Sequence, residues 1–101
     1  MKIQDKYGAL REVYGITWRS GKTFFYTLEK DGGGFIFIQE SSVNIVDNTI
    51  PFRTIYCDGS ILHWALVENN LKESLQETNP EARKIFRSIL EQEGCVYPDF
   101  E

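Results

Sequence analysis

Residues 23–39 read TFFYTLEKDGGGFIFIQ, and the fold class turns on what the glycines Gly32, Gly33 and Gly34 do there. A glycine-rich phosphate loop presents backbone N–H groups at the start of a helix, and its pattern continues into a helix-forming segment. Here the glycines lead instead into FIFIQ, a β-branched and aromatic run, and follow TFFYTL, another. A run of glycines between two β-prone segments is a reversal of direction, made possible by positive φ angles that cost a glycine nothing. The stretch therefore predicts two consecutive antiparallel strands and no nucleotide site.

The same reasoning extends outward. Residues 10–18, LREVYGITW, place Leu10, Tyr14, Ile16 and Trp18 at even spacings, the pattern of a strand with one buried face. With Ser20 and Gly21 as a two-residue turn, Ile16 is expected opposite Phe25 and Gly15 opposite Tyr26, the aromatic ring covering backbone that glycine leaves bare. Residues 43–47, VNIVD, and 50–57, IPFRTIYC, supply two further strands, with Pro51 near the start of the second, where a missing N–H is tolerated. Several of these runs are apolar on both faces, which implies strong curvature or a helix lying across the sheet.

Residues 58–67, DGSILHWALV, support two readings. Asp58-Gly59 is a hairpin signal that would make the segment a sixth strand; alternatively Ser60 caps a helix whose stripe is Ile61, Trp64, Leu71 and Leu75. The pair Asn69-Asn70 weakens a continuous helix, so the reading adopted is a strand first and a helix from about Asn69. The final helix is marked at both ends: Asn79 as cap, Pro80 in the first turn, Ala82, Ile85, Phe86, Ile89 and Leu90 as its stripe, and Gly94 as its stop. The expectation is one α+β domain over residues 1–101, a curved antiparallel β-meander of five to six strands packed against one or two C-terminal helices.

The composition narrows the partners. Fifteen acidic and 11 basic side chains give a formal charge of -4, and without a basic excess there is little to displace counterions from a nucleic acid. Arg83, Lys84 and Arg87 form the nearest basic cluster, expected on a solvated helix face among glutamates. No secretory leader or membrane-spanning run is apparent, so a cytoplasmic location with no membrane partner is expected. Cys57 and Cys95 match no CxxC or zinc spacing and read as free thiols. The tail CVYPDFE is expected to pack Val96 and Tyr97 on the body.

Cys57, Asp58, Ser60 and the only histidine, His63, fall within seven residues, and a thiol beside an imidazole is a nucleophile with its base. Hairpin pairing argues against it, because Cys57 then faces Ser60 while His63 faces Thr54, on opposite faces of the pair. A metal site is not implied, since one histidine and two distant cysteines leave too few matched ligands; nor is any cofactor. Asp47, Asp58 and Glu68 offer carboxylates, which 15 acidic residues make unremarkable.

The aromatic residues mostly belong to a core, but aromatics with a neighbouring Arg or His are typical of binding surfaces. Trp18, Tyr26, Arg53, Tyr56, His63 and Trp64 are the residues expected to form one. Three functions follow in order: a small non-catalytic protein-interaction module, of which bacterial immunity proteins, antitoxins and mobile-element accessory proteins are instances by character; a small-ligand-binding protein with a cleft between sheet and helices, where Gly15 leaves room; and an enzyme using Cys57, His63 or a carboxylate pair. A homodimer through a free sheet edge or an aromatic patch is compatible with each.

Overall fold

A computed structural model describes residues 1–29 and 34–94. They form β1 (Lys2–Gln4), β2 (Leu10–Glu12), β3 (Gly15–Arg19), β4 (Lys22–Leu28), β5 (Phe35–Gln39), β6 (Asn44–Asp47), β7 (Thr54–Cys57) and β8 (Ser60–His63), then α1 (Trp64–Glu68), α2 (Leu71–Gln76) and α3 (Pro80–Gln92). The strands make two antiparallel sheets, a five-stranded one in the order β5-β4-β3-β8-β7 and a three-stranded one in the order β2-β1-β6.

The hairpins follow from their turns. Ser20 and Gly21 have φ of 53° and 74°, and Asp58 and Gly59 have 47° and 77°; two successive positive φ values match the right-handed twist of the flanking strands. The first turn sets Gly15 opposite Tyr26 and Ile16 opposite Phe25, and the second sets Cys57 opposite Ser60 and Thr54 opposite His63, all as the sequence predicts. The glycine-rich connection is likewise a reversal: Leu28 pairs with Phe35, and the Glu29 N–H donates to the Gly34 carbonyl at 2.9 Å. Lys30, Asp31, Gly32 and Gly33 lie outside the described residues.

The α+β class, the antiparallel sheet and the C-terminal helical layer are as expected, and the strands number eight because β1 joins the expected ones and residues 10–18 form two. β1 is a three-residue strand with no periodic signal, and residues 10–18 divide at Val13 and Tyr14 into β2 and β3, one in each sheet. The three-stranded sheet explains strands that are apolar on both faces. Phe25 and Tyr26, adjacent in β4, point to opposite faces and are both buried. Phe25 packs with Ile3 and Val13, flanked by Ile16, Ile38 and Val43, against the small sheet. Tyr26 joins Tyr14, Leu28, Leu62, Leu66, Leu75, Phe86 and Leu90 against the helices.

After β8 the chain switches directly to helix at Trp64, so the two readings of residues 58–67 are each half right. Asn70, at φ 54°, breaks the helical run between α1 and α2. In α3 the Asn79 side chain accepts from the Glu81 and Ala82 N–H groups, and Gly94, at φ 75°, follows the last turn. The buried stripe is Ala82, Arg83, Phe86 and Leu90, while Ile85 is exposed. Arg83 thus corrects the expectation of a wholly solvated basic cluster; Lys84 and Arg87 are exposed and pair with Glu81 and Glu91. Residues 95–101, with Cys95, Val96 and Tyr97, lie outside the described residues.

Candidate functional site

The six residues expected to form a surface site divide into three environments. Trp18 and Tyr56 are exposed, at 46% and 71%. Tyr56 pairs with Ile61, and Ile61 with Ile16, so these three side chains project to one face of the central sheet. Trp18 is two residues beyond Ile16 on the same strand and shares that face. It is the face on which the small sheet covers Phe25, and Trp18, Tyr56 and the half-exposed Ile50 occupy its uncovered part.

Tyr26 lies on the other face and is 1% exposed. Phe35 and Phe37 meet its ring edge-on at 5.8 and 4.5 Å, and Lys72 Nζ sits 5.5 Å above it. Its place in the surface set is therefore corrected: the covering helices make it core.

Arg53, His63 and Trp64 do come together, through residues that the sequence did not single out. His63 is fully buried at the junction of β8 and α1. Its Nδ1 accepts the Ala65 N–H at 3.1 Å, capping α1, which fixes the proton on Nε2 and makes that nitrogen the donor to Glu93 Oε1 at 2.9 Å. Glu93 Oε2 accepts from Trp64 Nε1 at 2.8 Å. Arg53 lies 5.4 Å from the Trp64 ring and pairs with both Glu68 oxygens at 2.9 and 3.1 Å. Phe52 and Phe86 flank the imidazole, with centroids at 4.5 and 5.1 Å. Burial pushes the His63 pKa below its ordinary value, outweighing the opposing pull of Glu93. Both ring nitrogens are committed to internal partners, so in this arrangement His63 is a latch between α3 and the β8–α1 junction, and its place in the surface set is corrected too.

Glu93 is the residue at the end of α3, where a carboxylate is opposed by the helix dipole, and its two donors come from the β8–α1 junction.

The hairpin register sets Cys57 and His63 on opposite faces of the β7–β8 pair. Cys57 and His63 sit three register steps apart on the β7–β8 hairpin, roughly 10 Å along the strands, and the Cys57 thiol donates to Asp58 Oδ2 at 3.9 Å. Glu68 is engaged by Arg53, and Asp47 accepts the Thr49 N–H at 2.8 Å, which lowers its pKa. Among the described residues no three His, Cys, Asp or Glu side chains converge as a metal site.

A cleft does open between sheet and helices, with a volume of about 380 Å³. Leu62, Leu66 and Val67 form its apolar lining, and Cys57, Asp58 and Lys72 stand at its polar margin. Arg53, Tyr56 and His63, expected to supply its polar groups, do not line it. Nor does Gly15 leave room: a Cβ there would lie 2.6 Å from Leu62 Cδ2 and 3.3 Å from Tyr26 Cδ2. Comparison with protein-family models, curated proteins and solved structures found no match.

Proposed function

We propose that the chain is a small non-catalytic protein-interaction module that acts in the cytoplasm, without cofactor or nucleic acid, in the manner of an immunity, antitoxin or mobile-element accessory protein. The observation that supports this reading is the exposure of Trp18 and Tyr56 together on one sheet face that the small sheet covers only in part. Large aromatics fixed on rigid strands contribute contact area with little loss of conformational freedom, which is why they anchor protein interfaces. The net charge of -4 would favour encounter with a basic partner surface.

The test is capture of protein from the source cell by the tagged chain, alongside a Trp18→Ala, Tyr56→Ala double variant. Both positions are exposed, so the variant should match wild type in circular dichroism and unfolding midpoint. One stoichiometric protein retained by wild type and lost by the variant is the expected result. Equal retention by both, or none by either, would count against the reading.

A second reading, small-ligand binding, has the 380 Å³ cleft in its favour, a size within the range of ligand pockets. A metabolite thermal-shift screen would separate the two: a stabilising compound whose effect vanishes in Val67→Phe, a substitution of a partly exposed residue lining the cleft, supports this alternative.

A further inference from the structure

Each sheet has two edge strands, and three of the four carry a feature that discourages pairing with another chain. β2 has three residues, two of them Arg11 and Glu12. β6 is irregular in register, with Ile3 opposite Ile45 and Lys2 opposite Asp47, leaving Val46 as an extra residue. β7 has four residues bounded by Arg53 and Asp58. β5 is the longest of the four: FIFIQ has five residues without charge, proline or bulge, is followed by Glu40, and among the described residues pairs in unbroken register with β4 alone.

A groove of about 350 Å³ runs beside this edge, with Ile36, Ile38 and Val43 giving it an apolar wall. Its opposite wall carries Lys6 and Tyr7 from the turn after β1 and Arg11 from β2. Asp5 is there too, but its oxygens are occupied by Arg11 Nε at 3.1 Å and by the N–H groups of Tyr7 and Ala9 at 2.9 and 3.0 Å. The Lys6 ammonium lies 5.2 Å from the Tyr7 ring, and Arg11 Nη1 is buried with no hydrogen-bond partner. Arg11 neutralises Asp5, so the Lys6 ammonium leaves the groove a local positive balance in a chain that is acidic as a whole.

We propose that β5 is a strand-addition site that accepts an extended segment of a partner protein, with apolar side chains at alternate positions and an acidic residue set against Lys6. The unpaired edge supplies main-chain hydrogen bonds, the apolar wall takes every second side chain, and the Lys6 ammonium fixes register and charge preference. A second copy of the chain is the less suitable occupant, because the five residues of its own β5 carry no carboxylate and Glu40 comes only after the last of them. The proposal rests on the interaction reading above but uses a surface distinct from that of Trp18 and Tyr56.

The experiment uses the full chain and three fluorescein-labelled nine-residue peptides. The first alternates valine and threonine with two glutamates, the second replaces those glutamates by lysines, and the third is the acidic peptide with N-methylated backbone on its pairing edge. Binding is read by fluorescence anisotropy and by the amide NMR signals of residues 35–39. The acidic peptide should bind and shift those signals, the lysine peptide should bind at least tenfold more weakly, and the N-methylated peptide should not bind. The exposed substitution Lys6→Glu should reverse the charge preference without altering the unfolding midpoint.

Failure of all peptides to move the β5 amides would overturn the proposal, as would shifts insensitive to charge or N-methylation. A concentration-dependent dimer in sedimentation, with the β5 amides protected from exchange, would instead assign the edge to a second copy. If strand addition fails while Trp18→Ala, Tyr56→Ala still abolishes capture of a partner, the interaction reading stands and only this docking mode falls.

Discussion

Gly34 and Glu93 show how single residues are held to their identity by contacts from distant parts of the chain. A Cβ at Gly34 would overlap the Leu75 carbonyl oxygen and approach that of Gln76 at 3.1 Å. Both are backbone atoms at the end of α2 and cannot rotate away. Gly34→Ala should therefore destabilise the fold by about 1–3 kcal/mol, the usual range for forced overpacking, measured by urea unfolding. Glu93→Ala removes the acceptor for both His63 Nε2 and Trp64 Nε1, and a loss of about 2–3 kcal/mol is expected from two stranded donors. Glu93→Gln, which keeps one carbonyl acceptor, should lose less. The histidine adds a pH dependence. Its folded pKa lies below the ordinary 6.5, so between those two values the unfolded chain binds a proton that the folded chain refuses. Stability should be full above pH 6.5 and decline as the pH falls from there toward the folded pKa. Urea midpoints compared at pH 7.5 and 5.5 should show that decline in wild type and a smaller one in His63→Gln.

Elements differ in how far they stand on their own sequence. α3 has 13 residues and an Asn79 cap with two hydrogen bonds. Asn79→Ala should cost about 1 kcal/mol, read from the unfolding midpoint and from loss of amide protection in its first turn. α1 and α2 have five and six residues, too short to persist alone. They are held by Ala65, Leu66, Leu71 and Leu75 in the core. This is why α3 was legible and the switch from strand to helix at Trp64 was not: caps and periodicity are local signals, whereas α1 is helical because the sheet below it buries one side. The hairpins belong with α3, since Ser20-Gly21 and Asp58-Gly59 select their turns and each turn fixes its register. β1 lies at the other extreme, three residues whose pairing with β2 and β6 leaves no mark in the sequence pattern.

At the scale of the whole molecule, the central sheet stands between a helical layer and a second sheet, and a substitution should report which layer it touches. Ile3 is fully buried where the small sheet meets Phe25 and Val13, so Ile3→Ala should lower stability by about 2–5 kcal/mol, measured by urea unfolding. Arg53→Ala breaks an exposed ion pair with Glu68 and should cost under about 1 kcal/mol. The sequence by itself determined the antiparallel class, both hairpin registers and the limits of α3, because turn chemistry and side-chain period act between near neighbours. It also brought Trp18 and Tyr56 together in one proposed patch, and the registers place them on one face. Only the tertiary structure decided that Tyr26 and His63 are interior, that Glu93 is the partner of His63 and Trp64, and that β5 lies at an edge of the central sheet, paired among the described residues with β4 alone. Burial and edge exposure depend on which layer covers which face, and that is set by packing between segments far apart in the chain.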